Sequence, residues 1–425
     1  MTIIHRKGII MLAQFIKYGM GLVLIAAPWA FALTANPEDT PNGWATGATG
    51  GNGSAEVTVT TPSDFNTQAQ KPGKAVIWVS GTLQGDCTVG TGDKTILGEP
   101  GATIEGTLTI SDVSNVIVRN IFVHITTPCL GVSGAGTCEE GPDGVHVTGS
   151  TNIWLDHLSV LDANDGNMDI TKASDLITIT WCKFHYTRTG SNHQFSNLIG
   201  AADSVPADSG KLNCTFHHCW WADGVRERMP RVRYGKVHLY NNLFTSAVAS
   251  YCIRVGYLAD IFAEANAFIG VKNPVNYYDA NGVITMKGNY YKNTTGDTAS
   301  RGTSFTPDYQ YTVEDPSTIQ NEIQTMAGNT ITAWSTSAVS FRKHPGLSSG
   351  PALARIERRA GVPCIINDAG SLAIVKVTDL SGRQISPDIA LKARETVFLR
   401  VSRGIILVKI TSAGRTQTTL VNQVR

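Results

Sequence analysis

Three carboxylates and a run of arginines are where this sequence could do chemistry. The segment Asp165-Gly166-Asn167-Met168-Asp169 sets two acids four residues apart, an even spacing that returns both to one side of an extended chain. Asp143, in DGVHV, precedes them with no lysine or arginine in between. Acids gathered in this way repel one another, and a hard divalent cation relieves that cost. A donor set made only of oxygen selects Ca²⁺ over zinc or copper. By itself D-G-x-x-D more often describes a solvated turn. The stretch from Arg226 to Arg233 adds four arginines within eight residues beside a single glutamate, Glu227. Alone, it would be a charged edge that guards against strand addition. Beside three acids it suits a polyanion held by metal and guanidinium together.

Positioning such residues calls for a regular scaffold, and a weak internal repeat supplies one. Short strands written beneath each other, VIVRNIFV, IWLDHLSV, ITWCKFH, FHHCWWA, LYNNLFT, EANAFIG and KGNYYK, align on one column: Asn120, His157, Cys182, Cys219, Asn242, Asn266 and Asn289. The spacings are 37, 25, 37, 23, 24 and 23 residues, and such a period with two longer insertions denotes a solenoid. The units are short, β-branched and aromatic, punctuated by Gly, Asn and Asp, which excludes leucine-rich and helical repeats. Each is read as one coil of a parallel β-helix, with the column asparagines stacking amide on amide along its axis. His157 and the column cysteines are structural in this reading. Cys182 and Cys219, about 5 Å apart by strand spacing, stand where a disulfide is allowed but not demanded. Counting along the coils, Asp143 lies 14 residues before His157 and Asp169 lies 13 before Cys182, which predicts that the two stack on adjacent coils. Asp165 lies 8 after His157 and Arg228 lies 9 after Cys219, which predicts a shared phase two coils apart, about 10 Å along the axis. Acid and base are therefore expected to face one groove.

The 425 residues are 42% hydrophobic and 16% charged, with 42 Gly against 17 Pro, which describes a folded, turn-rich chain and excludes disorder and collagen. Lys+Arg 35 against Asp+Glu 34 leaves +1, so no global basic field exists to attract nucleic acid or anionic lipid. Residues 1 to 32 read as a signal peptide: basic residues up to Lys17, an apolar stretch, then Ala30-Phe31-Ala32. The mature chain is expected to be secreted, extracellular and free of the membrane. Eight cysteines in an exported chain suggest disulfides, with Cys129 and Cys138 the favoured pair. The β-helix is expected over 33 to 330, with a short helix in DPSTIQNEIQTMAG capped by Asp315 or Ser317. A linker is expected over 331 to 360. The alternation in LAIVKVTDL, ETVFLRV and GIILVKIT predicts a small antiparallel β-sandwich over 361 to 425.

Five motifs, VIVRNIFV, DGVHV, NIWLDH, DGNMD and RMPRVRYGKVHLYNN, resemble in their order and coil phase the pectate lyase family, polysaccharide lyase family 1, from about Val76 to Gly328. The resemblance implies an all-β fold, a right-handed parallel β-helix, and a Ca²⁺-dependent enzyme acting on polygalacturonate or pectin. It implies that Asp143, Asp165 and Asp169 hold Ca²⁺, that Arg228, the first arginine of R-x-P-x-x-R, is the catalytic base, and that Arg233, the last, binds substrate. Trp154, Asp156 and His157 match the family's W-x-D-H strand and are read as architectural. One position departs from the pattern. Many members have lysine in H-x-K-x-x-L-I-G, whereas the stretch from His193 to Gly200 has Phe195, so either another cation such as Arg188 binds a substrate carboxylate in its place or one subsite is less charged.

In the implied reaction, the C5 proton of a galacturonate, α to a carboxylate, becomes removable once Ca²⁺ neutralises the developing charge. β-Elimination then expels the C4 oxygen and leaves a 4,5-unsaturated oligogalacturonate. Arginine, with a pKa above about 12, is a reluctant base, so neighbouring cations must lower it and an alkaline optimum is expected. Through VKVTDLSGRQI and RGIILVKIT the tail resembles the C-terminal sorting domains of secreted bacterial enzymes, which makes secretion machinery an expected partner of an otherwise monomeric protein. Two rivals stand beside this reading. One is a polygalacturonase-like hydrolase using Asp165 and Asp169 as acid and base, for which Arg228 is superfluous. The other is a non-catalytic polyuronate-binding β-helix protein.

Overall fold

The computed structural model describes residues 33–126, 141–188 and 193–334, together with the strands of a separate C-terminal unit between 354 and 423. The repeat becomes a coil of three strands. Ala75–Val79, Thr82–Gln84 and Cys87–Val89 are followed by Lys94–Gly98, Thr103–Glu105 and Leu108–Ser111, which pair with the first three in turn, all in parallel. Each coil thus gives one strand to each of three sheets. The flank sheet has ten strands, from Glu56–Val59 to Val283–Lys287; a second sheet has nine, from Thr82–Gln84 to Tyr290–Lys292; the groove sheet has eight, from Cys87–Val89 to Val275–Tyr277. This is a parallel β-helix.

Inward-facing apolar residues stack along its axis. Val118, Leu155, Ile179, Phe216, Leu239 and Ala263 are register partners on successive flank strands, and all are fully buried. An open solenoid end would expose such a stack, and the helix α1 (Pro62–Ala69) covers the first coils with Phe65 and Ala69. Thr61 caps it, accepting from the Asp64 amide at 3.1 Å, and Pro62 occupies the first turn.

The column read from the sequence is two columns. The residue after each of the last seven flank strands, Asn120, His157, Trp181, His218, Asn241, Ala265 or Gly288, has positive φ and turns the chain out of the sheet. The residue after that forms the buried ladder. Asn242 Oδ1 accepts from the Cys219 amide at 2.9 Å, Asn266 Oδ1 from the Asn242 amide at 3.0 Å, and Asn289 Oδ1 from the Asn266 amide at 2.8 Å. Asn120 and His157 therefore stand one place before the ladder, where Ile121 and Leu158 lie. Asparagine suits both positions, because it tolerates the left-handed corner and its amide also forms ladders, so residue type alone merges them. At the corner, His157, Trp181 and His218 stack ring on ring, 5.9 and 4.4 Å apart.

Cys182 and Cys219 are buried free thiols, as are Cys87, Cys214 and Cys252. The favoured pair Cys129 and Cys138 and the segment 1–32 lie outside the described residues. The helix α2 (Gln320–Met326) begins beyond both cap candidates; Asp315 instead accepts from the Ser317 amide at 2.9 Å in the preceding turn. Ile319, Ile323 and Ala327 pack with Leu243 and Ala267 on the nine-stranded sheet. Ile331–Trp334 pairs in parallel with Leu33–Ala35, and Asn120 bonds both the amide and the carbonyl of Ile331 at 3.0 Å. Those four residues belong to the β-helix body, which corrects the expectation of a linker from 331; the strand is too short to alternate visibly. The other end of that span is strand as well, Ala354–Arg359. In the C-terminal unit Ala354–Arg359, Val362–Asn367 and Thr396–Phe398 form one antiparallel sheet, and Ile389–Leu391, Ala373–Asp379, Gly404–Ser412 and Arg415–Gln423 form another. Among the described residues no helix is long and apolar enough to cross a membrane.

Candidate active site

The groove sheet gathers the three acids. Asp143 precedes the strand Val145–Thr148, Asp165 precedes Gly166–Thr171, and Asp169 lies within the latter. Carboxylate oxygens from all three lie within 4.8 Å of one another. They do not stack as the coil count predicts. Asp169 pairs with His146, three residues beyond Asp143, so the carboxylates converge from different heights. The count failed because the column merged two positions and because the turns between sheets differ in length.

The glycines of the two Asp-Gly pairs are there for space rather than for turns. A Cβ on Gly166 would lie 2.2 Å from Asp169 Oδ1, and one on Gly144 would lie 2.8 Å from the Asn167 carbonyl.

Asp169 is 4% exposed; the Leu198 amide donates to it at 3.1 Å, and the Gly166 amide donates to Asp143 at 3.0 Å. Burial, with a further push from Asp165 and against the Gly166 bond, raises Asp143 to about 7. Burial and then the Asp143 charge raise Asp169 well above the usual carboxylate range. Raised carboxylates facing a third acid form a set that a cation would complete, and an all-oxygen, hard donor set fits Ca²⁺.

Arg228 reaches this cluster. Its Nη1 is 3.5 Å from Asp165 Oδ1, and its guanidinium carbon lies 4.2 Å from the centre of the Phe195 ring. Phe195 pairs with Gly166 on one side and bridges Glu227 on the other. Arg228 is therefore two register positions beyond Asp165, not in phase with it, and its long side chain closes the gap. Its own backbone is left-handed, φ +61°, a conformation that costs a non-glycine residue strain.

Arg233 and Arg188 are held elsewhere. The Nε of Arg233 donates to Asp203 at 2.6 Å and its Nη1 to the Gly200 carbonyl at 2.8 Å. Arg188 donates to Asn164 Oδ1 at 3.1 Å and to the Ile125 carbonyl, with its Nε 3.9 Å from Asp162.

Two histidines join the site without having been singled out. His193 Nε2 is 2.7 Å from Asp165 Oδ1, and its ring is 4.0 Å from that of Phe195. His146 Nδ1 is 3.7 Å from Asp143 Oδ2, and its Nε2 is 3.0 Å from Thr171 Oγ1. Spacing concealed the second, since residues three apart on an extended strand face opposite ways. The W-x-D-H strand lies on the flank sheet instead: Asp156 accepts from Arg119 at 2.8 Å and Thr180 at 2.6 Å, and Trp154 donates to Thr180 at 2.8 Å.

Comparison with known proteins agrees with this geometry. The pectate lyase family model matches residues 19–341. Pectate lyase B of Colletotrichum gloeosporioides is 32% identical over 307 residues, 68% of this chain and 86% of that protein. A pectate trisaccharide-lyase of Thermotoga maritima is 32% identical over 263 residues, 57% of this chain, and the match spans 65% of that relative's length. Two solved structures share the fold. A pectate lyase from Bacillus sp. N165, determined in complex with trigalacturonate, has a TM-score of 0.58 at 23% identity, covering 68% of this chain and 99% of that one. The cedar pollen allergen jun a 1 has 0.57 at 22%, covering 68% and 93%. With a family model matched over most of its length, a β-helix in common with these structures and an acid cluster beside an arginine, the chain belongs to the pectate lyase family.

Proposed function

We propose that this protein is a secreted, Ca²⁺-dependent pectate lyase that cleaves α-1,4-polygalacturonate by β-elimination with Arg228 as the base. The observation that carries the reading is the convergence of Asp143, Asp165 and Asp169 within 4.8 Å, with the Arg228 guanidinium 3.5 Å from Asp165. Ca²⁺ held by the three carboxylates would neutralise charge on a substrate carboxylate and so acidify the hydrogen at C5. Arg228, steadied between Asp165 and the Phe195 ring and in its neutral form, takes that proton; the C–H electron pair becomes the C4–C5 double bond, and the C4–O bond breaks with its pair going to the leaving oxygen, which takes a proton from water. A guanidinium surrenders its own proton more readily in alkali, so activity rises with pH.

Arg233 and Arg188 are assigned to substrate carboxylates at their own positions along the groove, each through those of its five N–H donors not already used by Asp203 and Gly200 or by Asn164 and Ile125. The two antiparallel sheets of the C-terminal unit support reading 361 to 425 as a β-sandwich, and its sorting role rests on the resemblance of VKVTDLSGRQI and RGIILVKIT alone. The test is ultraviolet absorbance during incubation with polygalacturonate, with and without EGTA. Elimination creates a conjugated double bond and hydrolysis does not. Full activity in excess EGTA, or chain shortening with no new absorbance, would overturn the proposal.

A further inference from the structure

Phe195 brings an aromatic ring into the acid and arginine cluster. The strand Phe195–Ile199 opens at this residue, between Gly166 and Glu227, and the Tyr186 hydroxyl donates to its carbonyl at 2.6 Å, which fixes the backbone. The ring is half-buried, 4.2 Å from the Arg228 guanidinium and 4.0 Å from the His193 ring. We infer that Phe195 makes the sugar position beside the scissile galacturonate select a methyl-esterified, uncharged residue, so that partly esterified pectin is a better substrate than polygalacturonate. The inference rests on the lyase reading above and names the substrate class of that same site.

The ring offers no hydrogen-bond donor, and the cation on its face is the Arg228 guanidinium, which the lyase reading reserves for the C5 proton. A carboxylate set against it would lose water and gain no partner, whereas an ester methyl is better off there than in water. Three of the neighbouring cations are already set against carboxylates: Arg228 at 3.5 Å from Asp165, Arg188 at 3.9 Å from Asp162, and Arg233 at 2.6 Å from Asp203. Further along the same sheet, Leu198 is followed in register by Arg231 and then Arg254, one strand apart. Past Arg228, the arginines of the groove sheet therefore lie toward the C-terminal coils. A chain with an acidic sugar at the aspartates, a neutral one at Phe195 and acidic ones beyond fits that order.

The experiment compares kcat/KM on polygalacturonate and on half-esterified pectin, read by ultraviolet absorbance, for the full-length wild type, Phe195→Lys and Phe195→Leu. The wild type is expected to favour pectin. Phe195→Lys should shift the ratio toward polygalacturonate by about tenfold, the scale of one partly exposed charge pair with its desolvation. Phe195→Leu, still apolar, should keep the wild-type preference even where its turnover falls. An unchanged ratio in Phe195→Lys overturns the inference, as does a Phe195→Leu ratio that moves with that of Phe195→Lys, since the ring's hold on Arg228 would then set selectivity. Absence of new absorbance from the wild type on both substrates would instead overturn the lyase reading, and this inference with it.

Discussion

Two sets of buried carboxylates in this β-helix are treated in opposite ways. On the flank sheet Asp156 meets Arg119 at 2.8 Å, His157 at 2.9 Å and Thr180 at 2.6 Å. Burial would push its carboxyl up, but His157 and Arg119 outweigh that and hold it well below the usual range. Glu264, 4% exposed, is likewise brought down to about 2, against burial, by hydrogen bonds from His238, Tyr311 and Lys287. On the groove sheet Asp143 and Asp169 each accept from a backbone amide, face one another and Asp165, and rise. Residue type and burial are comparable, and the partners differ. A carboxylate whose network is complete belongs to the scaffold, while carboxylates that complete one another only through a cation belong to a site.

The largest expected effect tests the arginine of the groove. Arg228→Lys keeps the charge but not the planar fork, and should lower kcat by about a hundredfold or more while Ca²⁺ binding persists. Arg231→Lys, in the same cluster, should change it only mildly. Equal, mild losses at both positions would leave the arginine run as a binding surface.

The next test sets the two kinds of aspartate against each other. Asp156→Ala removes the buried partner of Arg119, whose side chain is 3% exposed, leaving it the exposed Asp39 at 3.3 Å, and should cost about 3 kcal/mol in urea unfolding, with or without Ca²⁺. Asp169→Ala should raise the Ca²⁺ requirement sharply, yet in EGTA it should unfold no more easily than the wild type, because it removes a repelling charge. Equal destabilisation of the two variants in EGTA would erase the distinction.

A smaller effect follows from pH. Glu264 has an ordinary value of 4.5 and a folded value of about 2, so the unfolded chain binds the proton more tightly. Its stabilisation is fully present above 4.5 and is lost as pH falls toward 2. Glu264→Gln should therefore be less stable than the wild type at neutral pH, and the gap should narrow across that window; a pH-independent gap would show that its ion pair is not what matters.

The smallest effect concerns the C-terminal unit. A chain ending at Trp334 retains the pairing of Ile331–Trp334 with Leu33–Ala35 and every proposed site residue, and should keep its kcat/KM. A folded but inactive product would place the removed unit in the catalytic cycle.

Much of this molecule could be read from local pattern. Short β-branched and aromatic units at a period near 24 residues require a solenoid of strands, and D-G-x-x-D followed by four arginines marks acids and cations on one face, because strand periodicity and turn chemistry act over a few residues. Phase was decided otherwise. Asn120 and Asn242 are the same residue type, one at a left-handed corner and one in the ladder, and only pairing with the adjacent coil distinguishes them. The same holds at the site. Asp143 reaches Asp169 from three residues out of register, Arg233 turns to Asp203, and His193 arrives from a loop onto Asp165. Sequence by itself determined which side chains carry charge and that the backbone would coil. The lengths of the turns between sheets, settled only when each coil packs on the one before it, decided which of those side chains meet.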